Sequence, residues 1–250
     1  MPSTTWKMDD CLRLIPNDDS LMSGHLSVEL VSWLAQCVFR TDLHFPGFAC
    51  LQFTGMNDSP RLRHIMVQLK EALSRHFEDH WNEPLDYYSL GRFDQKKSTR
   101  LHLDGGPACS FLMLGYEPSL VTSRFLIADF SRLAAERNCS GRQLLDLANP
   151  MFDESARQDL EPYTQEVPAW DDSLSRIVIV NNSVSDDLSP ALSLPSWGVL
   201  HGAEILDSAG ESCRRVINST MFVPASQAPA GTEEAEHIFL TTQAISGLLF

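Results

Sequence analysis

Thr99-Arg100-Leu101-His102-Leu103-Asp104 alternates polar and apolar side chains with the period of two that marks a half-buried strand. That period places Arg100, His102 and Asp104 on one face. Farther along, Trp197-Gly198-Val199-Leu200-His201-Gly202-Ala203 predicts another short strand carrying one histidine, and 13 positions after His201 a strand-like run opens with Arg214-Arg215. Two histidines, one carboxylate and a downstream arginine are thus spread over three predicted strands.

The residue types explain the interest of the combination. Two neutral imidazoles and one carboxylate bind one face of an octahedral Fe(II) and leave positions open for a chelating co-substrate and dioxygen. An arginine can hold the far carboxylate of such a co-substrate with a planar, bidentate fork that lysine does not reproduce. A His-x-Asp tripeptide by itself equally suits solvent-facing or internally paired strand residues, and Asp104 before Gly105-Gly106-Pro107 also suits a turn cap. Order, spacing and strand context favour the metal reading.

The pattern His102-x-Asp104, then His201, then Arg214-Arg215 resembles the Fe(II)/2-oxoglutarate-dependent oxygenases, in particular the phytanoyl-CoA-hydroxylase-like branch. The resemblance is confined to residues 98–104 and 197–222. It implies a double-stranded β-helix, the jelly-roll or cupin-like barrel, with His102, Asp104 and His201 as iron ligands and 2-oxoglutarate and O2 as co-substrates. In related halogenases a small residue replaces the carboxylate; Asp104 fills that place here, so the resemblance implies a hydroxylase or another oxidation. The run Cys213-Arg214-Arg215-Val216-Ile217-Asn218 looks like the family's strand in which the first member of a basic pair holds the co-substrate. Neighbours on a strand face opposite ways. The favoured register therefore turns Arg214, Val216, Asn218 and Thr220 inward, with Asn218 and Thr220 as polar contacts. The alternative register turns in Arg215, Ile217, Ser219 and Met221.

Around this core, composition sets bounds. The chain has 250 residues, 43% hydrophobic and 21% charged, which suits one globular, β-rich domain with helical decoration. The net charge of −14 lacks the basic footprint of a nucleic-acid partner. Met1 to Asp10 does not read as a signal peptide and no run approaches the length of a membrane span, so a cytoplasmic protein without membrane contact is expected. Six cysteines without paired spacing (Cys11, Cys37, Cys50, Cys109, Cys139, Cys213) predict reduced thiols, Cys37 within the core.

Organisation follows from periodicity. His25–Phe39 predicts an amphipathic helix after Ser23-Gly24, and Asp58-Ser59-Pro60 caps a second helix to Trp81. Short strand-like runs follow at 85–93, 98–104, 109–116, 125–129, 176–181, around 201, and at 214–224, with one or two short helices over 131–149. The expected layout is a helical part over 1–82 packed on a barrel over 83–225, with a tail over 226–250. Weaker substrate candidates are Arg100, on the face of His102, and Tyr88 and Arg92 (with Tyr87 and Gln95) from the preceding run. His25, His64, His76 and His80 fall on helices, His44 before a loop and His237 in the tail, so none competes as a ligand.

The expected function is hydroxylation of a small metabolite such as an amino acid. Two rivals remain at this point: a zinc or manganese jelly-roll isomerase or hydrolase without co-substrate, and a jelly-roll binding module without activity. No G-x-S-x-G elbow supports a serine hydrolase.

Overall fold

The computed structural model describes residues 7–16, 26–168, 170–186, 194–245 and 247–248. Its helices begin where the sequence supplies caps. In α1 (Val28–Val38) the Ser27 hydroxyl accepts from the Leu30 amide, and in α2 (Ser59–Trp81) the Asp58 carboxylate accepts from the Arg61 amide. Pro60 sits in the first turn of α2, where its missing N–H costs nothing. His25 and Ser23-Gly24, expected to open α1, lie outside the described residues. The predicted helical stretch over 131–149 divides into α3 (Phe130–Glu136) and α4 (Gly141–Leu147), the latter closed by a capping box of Ser140 and Gln143. Two further helices went unpredicted, α5 (Glu154–Leu160) and α6 (Thr232–Thr241), the second within the expected tail.

The strands are β1 (Leu12–Pro16), β2 (Phe48–Thr54), β3 (Leu85–Asp94), β4 (Thr99–His102), β5 (Phe111–Tyr116), β6 (Thr122–Ala128), β7 (Thr164–Glu166), β8 (Ser175–Asn181), β9 (Leu200–Asp207), β10 (Val216–Pro224) and β11 (Gly247–Leu248). They form two sheets. One has seven strands in the order β1-β2-β8-β5-β10-β3-β11, the other four in the order β4-β9-β6-β7. All pairs are antiparallel except β1 with β2. The fold is therefore mainly sheet with flanking helices, and among the described residues no ladder joins the two sheets into the closed barrel that was expected. Residues 1–82, expected to be mainly helical with one strand at Ala49–Phe53, supply that strand as β2 and also β1 to the large sheet.

Three apolar layers hold these parts together. Leu34, Leu69, Phe77 and Phe239 from the helices pack on one face of the large sheet, against Phe53, Met113 and Ile179. Its other face meets the small sheet through Leu112, Val178, Val180 and Ile217 on one side and Phe125 and Ile127 on the other. Leu101 and Leu200 on the outer face of the small sheet pack on Phe130, Leu133 and Leu144. Each such side chain contributes roughly 1.5–3 kcal/mol of burial. The central strands of the large sheet are covered on both faces, so β10 has no exposed residue along its length. Among the described residues no helix is long and apolar enough to cross a membrane.

Candidate metal centre

β4 and β9 are antiparallel neighbours, and their register pairs His102 directly with His201. Strand pairing of this kind brings side chains on one face within contact distance. The two imidazole rings lie 4.4 Å apart, and Phe125 of β6 stacks against His201 at 6.2 Å. β4 ends at His102, so Asp104 lies just beyond the strand and not on it as predicted. Its position is fixed from the large sheet instead. The Asn182 side chain accepts from the Asp104 amide and donates to the Asp104 carbonyl, both at 2.9 Å, while also donating to Ser110 Oγ. This doubly bonded Asn182 lies in the run Asn181-Asn182-Ser183 at the end of β8, whose residue types suit a turn. Only the fold shows what it holds.

The result is a compact donor set. His102 Nε2 stands 3.2 Å from Asp104 Oδ1, and one ligand atom from each of His102, Asp104 and His201 lies within 4.8 Å of the others. The Arg100 carbonyl is 2.7 Å from His102 Nδ1. A carbonyl only accepts, so Nδ1 carries a proton and Nε2 is the nitrogen left to bind a metal. Burial pushes the His102 pKa down, but the hydrogen bonds to Asp104 and to the Arg100 carbonyl outweigh it and the net shift is upward. For Asp104 burial acts upward, while the hydrogen bond from His102 and the nearby imidazoles bring the net shift down. Burial takes His201 down to about 4, so its ring is neutral at ordinary pH. Its Nδ1 is buried with no hydrogen-bond partner among the described residues. Buried polar atoms are nearly always satisfied. An orphaned imidazole nitrogen beside a second imidazole and a carboxylate fits a divalent cation, and two nitrogens with one oxygen suit Fe(II).

The segment that delivers His201 is tightly held. Arg40, 1% exposed, forms a two-pronged ion pair with Asp129 at 2.7 and 3.0 Å. It also donates to the Trp197 and Gly198 carbonyls just before β9. Ser131 Oγ donates to the same Gly198 carbonyl. Residue 198 can only be glycine, because a Cβ there would meet the Ser183 carbonyl oxygen at 1.9 Å.

The three donors sit in the wall of a cavity of about 760 Å³ between the sheets. Ile217, Ser219 and Met221 of β10 line it, so the register is the alternative one. Arg214 is exposed, and its carbonyl accepts from Ser119 Oγ. Arg215 is 1% exposed on the inward face. Asn218 and Thr220, expected inside, face the helices; Asn218 accepts from Arg92 Nε and donates to Glu117 and the Gly115 carbonyl. Arg92 is likewise on the helix side, bonded to Glu117, Ser59 and the Thr242 and Ala244 carbonyls, and is no part of the cavity. Arg100 is also turned away. The β4–β9 register shifts between Thr99 and His102, which breaks the period of two: Thr99 lines the cavity and Arg100 donates outward to the Met151 carbonyl. Tyr88 and Gln95 do line the cavity, whereas Tyr87 is buried in the helix-side core.

The end of the cavity holds a group that sequence reading missed. Tyr116 lines the wall, and its ring packs on two guanidiniums, Arg215 at 4.9 Å and Arg176 at 5.5 Å. Arg176, also 1% exposed, stacks on Trp170 at 3.8 Å and donates to Asp172 at 2.8 Å. Asp172 is fully engaged by Ser123, Trp170 and Arg176. Only Arg176 pairs with that carboxylate; Arg215 donates to Ser123 Oγ at 3.3 Å and to the Gln95 carbonyl at 3.5 Å, and Arg215 Nε with Arg176 Nε and Nη1 have no partner among the described residues. Such a surplus of buried positive charge and donors favours an anion. Nothing in the sequence around Arg176 marked it, because its neighbours read as a plain apolar strand.

No protein-family model matches the sequence, and no curated protein matches it. Among solved structures, one described as a candidate alpha-ketoglutarate dependent 2,4-D dioxygenase from Burkholderia xenovorans is similar, with 12% identity and a TM-score of 0.43. The similarity covers 87% of this chain and 96% of that one. At that distance it carries no functional argument, which rests on the residues above.

Proposed function

We propose that the protein is an Fe(II)- and 2-oxoglutarate-dependent dioxygenase of the double-stranded β-helix type, hydroxylating a small molecule. The observation that carries this reading is the convergence of His102, Asp104 and His201 within 4.8 Å on a cavity wall. We take residues 1–250 as one domain whose chemistry lies in 83–225, and the two facing, mainly antiparallel sheets support a jelly roll.

Bound iron with 2-oxoglutarate and O2 would supply the oxidising power, and the chain would supply position and exclusion of water. His102 offers Nε2 because Nδ1 is committed to the Arg100 carbonyl. His201 is neutral and needs no deprotonation to bind. Asp104 fills the carboxylate place, which favours hydroxylation over halogenation. Arg215, the inward member of the basic pair, takes the far carboxylate of the co-substrate, with Arg176 adding to the positive field beside it. Phe125, Leu112 and Leu114 keep the interior dry.

The test is anaerobic titration of Fe(II) with and without 2-oxoglutarate, read by visible absorbance. A weak charge-transfer band that needs both components and vanishes in His201→Ala is the expected result. Stoichiometric iron binding with no band on adding 2-oxoglutarate would overturn the reading.

A further inference from the structure

The wall of the cavity is unusual in what it lacks. Among the described residues twenty line it, and none of these is a lysine or an arginine. Its charged side chains are the carboxylates of Asp94 and Asp104, and Asp104 belongs to the metal centre. Tyr88, Phe93, Leu114, Ile217, Met221 and Pro229 give it an apolar surface, broken by the neutral polar groups of Ser89, Gln95, Thr99 and Ser219. The two interior guanidiniums sit behind Tyr116 and off this wall.

Charge accounting then separates substrate classes. On the dioxygenase reading, on which this inference rests, Asp104 and the chelating end of 2-oxoglutarate neutralise the metal and Arg215 takes the far carboxylate. Among the described residues that line the cavity, none then offers a positive charge to a substrate. An anionic substrate would lose its hydration against an apolar wall and face the Asp94 carboxylate without a counter-charge. A free amino acid would bring such a carboxylate. A neutral molecule meets no such penalty, and the cavity of about 760 Å³, shared with the co-substrate, falls in the range of small-molecule sites.

We propose that the substrate is an uncharged, largely apolar molecule of ring-containing size, held by aromatic and aliphatic contacts with hydrogen bonds from the neutral polar groups of the wall. Gln95 marks where a charge would reverse this preference. It lies half-buried on the wall beside Asp94.

The full chain, loaded anaerobically with Fe(II) and 2-oxoglutarate, is titrated by calorimetry with three probes sharing one ring: indole-3-acetamide, indole-3-acetate and tryptamine. The neutral amide should bind about tenfold or more tighter than the acetate and tighter than tryptamine, the size of effect expected when a charge is desolvated without a partner. Gln95→Lys should narrow the gap between amide and acetate. Acetate binding as tightly as the amide overturns the proposal, and so does tryptamine binding most tightly, which would assign the wall to a cation held by Asp94. Failure of all three probes to bind overturns it as well. The 2-oxoglutarate band is recorded on the same samples; its absence with amide selectivity intact would sink the dioxygenase reading alone.

Discussion

His102 and His201 are register partners across β4 and β9, two strands 99 positions apart in sequence at those residues, with ring centroids 4.4 Å apart. Opposed positions on an antiparallel pair are held by the backbone ladder on either side. The pair is therefore placed by the sheet, while Asp104 beyond the strand end depends on Asn182.

Removing ligands should separate metal binding from folding. His102→Ala and Asp104→Ala should lose iron while keeping the far-ultraviolet circular dichroism and melting temperature close to the parent, since both side chains are partly exposed. His201→Ala should lose iron and also destabilise the fold by about 1–3 kcal/mol, because its ring is 5% exposed and packs on Phe125. Full iron content in all three variants would refute the assignment.

The basic pair gives a sharp contrast. Arg215→Ala should weaken 2-oxoglutarate binding by roughly 2–5 kcal/mol, as when one partner of a buried charge pair is truncated, with iron binding retained. Arg214→Ala, at an exposed position, should leave it unchanged. Calorimetric titration of 2-oxoglutarate decides between them.

On the proposed reading Asn182 would act on the metal through Asp104, to whose backbone it is doubly bonded. Asn182→Ala should lower metal affinity about 10- to 100-fold, the usual effect of removing a group that orients a ligand. Asn182→Asp should recover little, because it loses the amide that donates to the Asp104 carbonyl. A fall in stability with metal affinity untouched would make Asn182 a structural residue only.

Arg40 and Asp129 form the buried pair that fixes the approach to β9. Asp129→Ala should cost about 3–5 kcal/mol in chemical denaturation, since it strands a buried guanidinium. The double replacement Arg40→Met with Asp129→Leu should recover part of that loss. A loss below about 1 kcal/mol in the single variant would show the pair to be unimportant.

Thiol chemistry checks the core. Burial pushes Cys37, Cys50 and Cys109 up to about 12 and Cys11 higher still, so all four stay protonated and unreactive at pH 8. Cys139 and Cys213 are partly exposed. Ellman's reagent should label at most these two quickly in the native protein, and all six after denaturation. Rapid labelling of three or more would contradict the packing of the helix-side core, which holds Cys37 and Cys109, or of the layer between the sheets, which holds Cys11 and Cys50.

By itself the sequence determined local matters: a helix capped at Asp58, short strands between polar turns, and a His-x-Asp followed by a distant histidine. Each of these is written in neighbouring residues through periodicity, capping groups and turn chemistry. The inward face of β10 was not legible, because alternation reveals a face only when one side meets water, and both sides of β10 are covered. Arg214 and Arg215 had to point opposite ways, but only the packing of helices on one face and the cavity on the other decided which pointed in. The irregularity between Thr99 and His102 likewise turned Arg100 outward against the simple period. Arg176 opposite Tyr116, Asp172 on Ser123 and Asn182 on Asp104 joined the site through contacts between segments far apart in the chain, and long-range register is a property of the folded sheets that no local pattern encodes.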